Sequence, residues 1–290
     1  MRTLKLYRHG LTMGTAPRKN DHTRAKRGNV VGWSASTTRT NTKFLRSVDE
    51  KKLPTCSSGR PLLGFAFTGT LKDCPPSHDD WVKLKDHFIR RLRRMGLYRM
   101  HWLTEWQRRG VPHIHAALWL PLPKSDGEYL RISSLIVGHW VEVASTYGAQ
   151  RLGQKVLVIE DAVGWFKYLS KHASRGISHY QRSPELVPKG WEKTGRMWGK
   201  VGDWPVDEPV ELQISDELYF RLRRSVRRWR IADARAEGSR KRLVSARTML
   251  KDSEPARGAV RGVSEWVSQE LMLQLLDCAR ANSADCEVEG

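Results

Sequence analysis

The sequence predicts an α+β fold: a ferredoxin-like antiparallel sheet assembled in the order β-α-β-β-α-β, with a basic helical C-terminal extension. Three observations predict it. Between residues 62 and 173, short apolar or β-branched runs alternate with helical stripes in that order. The two middle runs are separated only by QRRGVP, a turn, so they form a hairpin. Beyond residue 217, arginines crowd onto a segment with helical periodicity.

The elements follow in sequence. LLGFAFTGTL (62–71) is a strand. Pro75 and Pro76 end it, and Ser77 with Asp80 three residues later forms a capping box. The helix it opens carries Trp81, Leu84, Phe88, Ile89 and Leu92 at helical spacing and stops at Gly96. LYRMHWLTEW (97–106) is the second strand and HIHAALWL (113–120) the third. A second helical stripe, Ile132 to Tyr147, ends at Gly148. KVLVIE (155–160) is the fourth strand, and Asp161 caps a helix through AVGWFKYLSKHA. In this arrangement the first and third strands lie at the centre of the sheet, with helices expected on one face. The expected domains are a basic, loosely ordered arm over 1–60 with LKLY (4–7) its only strand-like run, a core domain over 61–205, and the basic extension over 206–290.

The 290 residues carry a formal net charge of +20 and 39% hydrophobic residues, including twelve Trp. That is enough apolar material for a core, and the charge points to a polyanionic partner, nucleic acid first. No apolar run approaches the roughly 18 residues that cross a bilayer, so no membrane partner is expected. MRTLKLYRHGLTMG lacks the apolar stretch of a secretory signal, and a cytoplasmic location is expected. Cys56, Cys74, Cys278 and Cys286 show no C-x-x-C spacing and are expected to be reduced thiols.

Within TEWQRRGVPHIHAALWL (104–120), His113 and His115 are two apart on a strand, so they share a face. Folding the hairpin about Arg109 brings Glu105 opposite His113. Two imidazoles and a carboxylate on one face form a three-ligand metal site with open positions. On the last helix, Tyr168 and Lys171 are i and i+3 and share a face, flanked by Trp165 and His172. A tyrosine beside a metal-bound phosphate is a nucleophile. An H-x-H pair or a surface tyrosine alone would be an ordinary structural feature; the combination carries the argument.

These residues carry a family resemblance. PHIHAAL (112–118), followed some fifty residues later by YLSK (168–171), resembles the HUH endonucleases of the rolling-circle replication initiator class. FTGTL (67–71) is loosely similar to the family's first-strand motif, and GRMWG (195–199) to a segment of filamentous-phage replication proteins. The resemblance covers about residues 62–200. It implies a site-specific single-strand DNA endonuclease and ligase that starts rolling-circle replication of a phage or plasmid in a bacterial host. Glu105, His113 and His115 would hold Mg²⁺ or Mn²⁺, Tyr168 would form a 5′-phosphotyrosine, and Lys171 would orient the phosphate. The partners implied are single-stranded origin DNA, a host helicase and a host DNA polymerase. Two departures stand out: Gly164 occupies the position of a second tyrosine found in some members, and no G-x-x-x-x-G-K-[ST] motif is present.

In the extension, ELYFRLRRSVRRWRIADARAEGSRKRL (217–243) carries an apolar stripe, Leu218, Leu222, Val226 and Trp229, among arginines. Arg223, Arg224, Arg227 and Arg228 are expected to contact DNA phosphates. SEWVSQELMLQLLDCA (264–279) is expected to be a further helix and a candidate for self-association. Two other readings stay open: a transposase or relaxase using the same site, and a non-catalytic RNA- or DNA-binding protein on an RRM-like sheet. The last would need aromatics on an open sheet face.

Overall fold

The computed structural model describes residues 2–15, 31–174, 180–251 and 262–281, with the side chains of 15, 171–174 and 180 outside that set. Nine strands are described: β1 Arg2–Tyr7, β2 Gly10–Thr15, β3 Leu62–Gly69, β4 Arg99–Trp106, β5 Pro112–Pro121, β6 Lys155–Val158, β7 Trp198–Gly202, β8 Val210–Ile214 and β9 Val263–Glu265. The α-helices among these residues are α1 Ala35–Ser47, α2 His78–Arg94, α3 Asp126–Val143, α4 Ala162–Ser174, α5 Asp216–Ala236, α6 Arg240–Thr248 and α7 Gln269–Arg280. The chain divides into two units: Ala25–Val206, and Met1–Arg24 together with Asp207–Gly290.

The unit Ala25–Val206 holds a five-stranded sheet of order β6-β3-β5-β4-β7 in which every neighbouring pair is antiparallel. β3 and β5, the first and third strands of the repeating pattern, are adjacent in its interior. Capping holds the helices where the sequence places them. Ser77 Oγ accepts from the Asp80 amide at 3.2 Å and donates to the Asp80 carboxylate at 2.6 Å, closing the α2 N-terminus. The stripe Trp81, Leu84, Phe88, Ile89, Leu92 is buried. α3 starts at Asp126, ahead of the apolar stripe, because Ser125 caps it by accepting from the Glu128 amide.

The sheet is covered on both faces, not one. Phe65 and Phe67 of β3 stand opposite Leu118 and Ala116 of β5, and Phe67 packs on Phe88 of α2 and Trp140 of α3 with ring centroids 5.0 and 5.7 Å apart. On the other face, Trp119 meets Phe166 of α4 at 6.3 Å, and His101 of β4 stacks on Phe44 of α1 at 5.7 Å. The cause is legible in β5 itself: Ile114, Ala116 and Leu118 on one side and Ala117 and Trp119 on the other are all buried, so each face needs a cover. β7, an edge strand on β4, contains the end of the GRMWG segment.

The second unit corrects the expectation for residues 1–60. Of these, residues 2–15 and 31–60 are described, and they hold two strands and a helix rather than one loose arm. β1 and β2 form a hairpin with Tyr7 opposite Gly10, and β8 and β9 flank it in the sheet β8-β1-β2-β9. The two-residue link Arg8-His9 lacks the Asn-Gly or Asp-Gly signal of such turns, and the partner β8 lies some two hundred residues away, so no local pattern announces the sheet. α1, also within 1–60, belongs instead to the first unit. The predicted helix 217–243 is two helices, parted at Gly238, whose φ of +63° ends α5. Leu222 and Val226 pack with Leu4, Leu11, Met13 and Leu275 in the core of this unit. The predicted tail helix is α7, preceded by the short strand β9. Cys56 and Cys74 are free thiols, and Cys286 lies outside the described residues. No helix among the described residues is long and apolar enough to cross a membrane.

Candidate metal centre and tyrosine site

The β4–β5 register pairs Glu105 with His113 and Leu103 with His115. A turn makes this pairing: the Gln107 amide donates to the Val111 carbonyl at 2.9 Å, and Gly110 takes a φ of +75° that an L side chain rarely adopts. Strand alternation then puts both imidazoles and the carboxylate on the α1/α4 face. One ligand atom from each of Glu105, His113 and His115 lies within 4.8 Å of the others. The two Nε2 atoms are 2.9 Å apart, and Glu105 Oε2 stands 3.5 Å from His115 Nε2 and 3.9 Å from His113 Nε2.

This cluster is not on an open surface. Glu105 is fully buried and the two histidines are 6% and 7% exposed. α4, α1 and the segment around Trp33 and Arg182 close over that face. Burial pulls the His113 imidazole down to about 4, so it is neutral and its nitrogen lone pair is available to a cation. Thr68 Oγ1 lies 3.0 Å from His115 Nδ1. That bond turns the other ring nitrogen, Nε2, toward the carboxylate, the second-partner arrangement that metal-bound histidines use. The donor set therefore fits a divalent cation: two imidazole nitrogens and one carboxylate converging from rigid central strands.

Tyr168 comes to the same place. It is 41% exposed, and its ring centroid lies 6.2 Å from that of His115 at an interplanar angle of 83°. Trp165, one turn earlier, stacks on it at 5.1 Å. Asp161 caps this helix by accepting from the Gly164 amide at 2.9 Å. A Cβ at Gly164 would stand 2.3 Å from Asp161 Oδ2, so the cap occupies the space a second tyrosine would enter. Lys171 lies three residues beyond Tyr168 on α4, and its side chain is outside the described set. A groove of about 310 Å³ borders Tyr168, lined by Trp165, Gly164, Asp161 and the β6 edge.

Arg182 has no forerunner among the residues that the sequence singles out. It is 1% exposed; its Nε and Nη2 each donate to Glu105 Oε1 at 3.3 Å, and its guanidinium lies 3.9 Å from the Trp33 ring centroid. In a chain of charge +20 any single arginine is inconspicuous.

The four extension arginines separate. Arg224 and Arg228 are exposed one turn apart on α5. Arg227 reaches the Arg247 carbonyl at 3.3 Å. Arg223 is buried at 7% exposure, against the Tyr219 and Phe220 rings, which withdraws it from the phosphate-contacting surface expected of it.

Fold and cluster together define a strongly basic α+β protein with a buried His-His-Glu centre, suited to a divalent cation, beside an exposed tyrosine. The chain belongs to the family of the replication-associated protein of Pseudomonas phage Pf3, to which it is 48% identical over 279 residues, 95% of this chain and 96% of that one. Two proteins named as replication proteins in strains of Xylella fastidiosa are 45% and 44% identical, over 94% and 92% of this chain and 94% and 100% of their own lengths. No family model and no solved structure matches the chain.

Proposed function

We propose that this protein initiates rolling-circle replication of a phage or plasmid as a metal-dependent, single-strand DNA nicking and joining enzyme of the HUH type. The observation that carries the proposal is the convergence of Glu105, His113 and His115 within 4.8 Å, with the Tyr168 ring 6.2 Å from His115. Relatives named for replication, similar over nearly the whole chain, support the setting. The covered sheet faces argue against the non-catalytic alternative, which needs exposed aromatics on an open face.

A Mg²⁺ or Mn²⁺ ion held by the three ligands would polarise a phosphoryl oxygen of the scissile phosphate. Tyr168 Oη attacks the phosphorus. The new Oη–P bond forms as the P–O3′ bond breaks, and the phenol proton is transferred, overall, to the departing O3′. The products are a 5′-phosphotyrosine and a free 3′-OH that a host polymerase extends. Attack by a 3′-OH on the phosphotyrosine reverses the sequence and rejoins the strand. Lys171, on the same helix, orients the phosphate and balances charge developing on its oxygens.

The test is incubation of the protein with a single-stranded origin oligonucleotide and Mn²⁺, followed by mass analysis of digested protein. The wild type should carry a nucleotide adduct on Tyr168, and Tyr168→Phe should bind the same DNA without forming one. An adduct retained by that variant and mapped to Tyr180 would overturn the assignment.

A further inference from the structure

A buried arginine beside a carboxylate ligand is costly to place, and this one is held from three directions. Arg182 Nε and Nη2 both donate to Glu105 Oε1, and Nη2 also lies 3.4 Å from the Leu169 carbonyl. Leu169 is the residue after Tyr168 on α4. Trp33 offers its ring as a platform for the guanidinium, and its Nε1 donates to the carbonyl of Thr104, next to Glu105, at 2.8 Å. One side chain therefore touches the strand carrying the carboxylate ligand and the helix carrying the nucleophile.

We propose that Arg182 is a positioning residue that couples the metal centre to the tyrosine helix: it occupies Glu105 Oε1, leaving Oε2 to face the two imidazoles, and it anchors α4 beside that carboxylate. This rests on the metal-dependent reading above. A guanidinium fork suits the task because it donates in one plane to two separate acceptors, whereas an ammonium offers a single point of charge. The arrangement makes the carboxylate a one-oxygen ligand and ties the placement of Tyr168 to the state of Glu105.

The experiment compares wild type, Arg182→Lys and Arg182→Met by Mn²⁺ titration, read by calorimetry and by electron paramagnetic resonance of bound Mn²⁺, with thermal melting as the control for folding. Single-turnover adduct formation is then measured at saturating Mn²⁺. Removing a residue that orients a ligand typically weakens metal binding about 10- to 100-fold. Arg182→Met should fall in that range. Arg182→Lys should recover part of the affinity through its charge, yet still form the Tyr168 adduct slowly when the metal is saturating, because its single nitrogen replaces neither the paired Nε and Nη2 contacts to Glu105 Oε1 nor the longer reach that lets Nη2 also meet the Leu169 carbonyl. If Arg182→Met does not fold, Glu105→Gln/Arg182→Met removes both charges and should fold, and Arg182→Lys decides the question. Wild-type Mn²⁺ affinity and adduct rate in a folded Arg182→Lys would overturn this inference and leave the proposed function standing. Failure of the wild type to bind Mn²⁺ would overturn both.

Discussion

His101 and His113 are neutral inside the fold because burial strips water from the charged imidazolium, which holds them near about 3 and about 4. In the unfolded chain each returns to about 6.5. The native state thus binds fewer protons than the unfolded state below that value. The stability they contribute is complete above about pH 6.5 and is lost as the pH falls toward 4 for His113 and 3 for His101. Each contributes a slope of up to about 1.4 kcal/mol per pH unit in that window. Urea unfolding at pH 7.5 and 5 should show the decline, whereas a flat profile would mean that the imidazoles are charged in the native state. The same burial changes what truncating a ligand does. His113→Ala opens a hole beside a buried carboxylate, and roughly 1–3 kcal/mol of stability should go with it. Mn²⁺ at a hundred times its Kd should stabilise the wild type by about 2.7 kcal/mol. His113→Ala and His115→Ala should forfeit that gain, and an equal rise in melting temperature in either variant would remove that histidine from the metal site.

Helix α5 sorts its arginines by the geometry of one helix. Leu222 and Val226 face the core, and Arg223 is drawn in with them. Arg224 and Arg228, one turn apart, remain outside. The phosphate contact proposed for this helix therefore rests on the exposed pair, not on all four. Arg224→Gln/Arg228→Gln should lower the salt slope of single-strand DNA binding by about 1.4, or 0.7 for each phosphate that is no longer neutralised. Arg223→Gln should instead lower the melting temperature. A salt slope unchanged in the double variant would show that α5 does not meet the phosphates.

Both ends of the chain build one unit. Leu4, Leu11 and Met13 of the N-terminal hairpin are buried by α5 and α7 residues such as Leu222 and Leu275, and each such side chain contributes about 1.5–3 kcal/mol by leaving water. Truncation after Ile214 removes α5, α6, β9 and α7 and leaves that hairpin uncovered. Limited proteolysis of the truncated chain should strip residues 1–24 while a fragment near Ala25–Val206 persists. Survival of an N-terminus intact from residue 2 would show that the hairpin stands without its helices.

Local signals carried much of this protein. Period-two runs and capped stripes place β3 to β6 and α2 to α4, because each is a matter of neighbouring residues. The pairing of Glu105 with His113 follows from a four-residue count about Arg109. Tertiary structure alone decided the rest. β1 and β8 pair across some two hundred residues, and no window of sequence contains both. Whether a sheet face is open or covered depends on α1 and α4 arriving from distant segments. Arg182 meets Glu105 only because the chain after α4 turns back over β4, and burial then makes one arginine among fifty-one lysines and arginines different from the others.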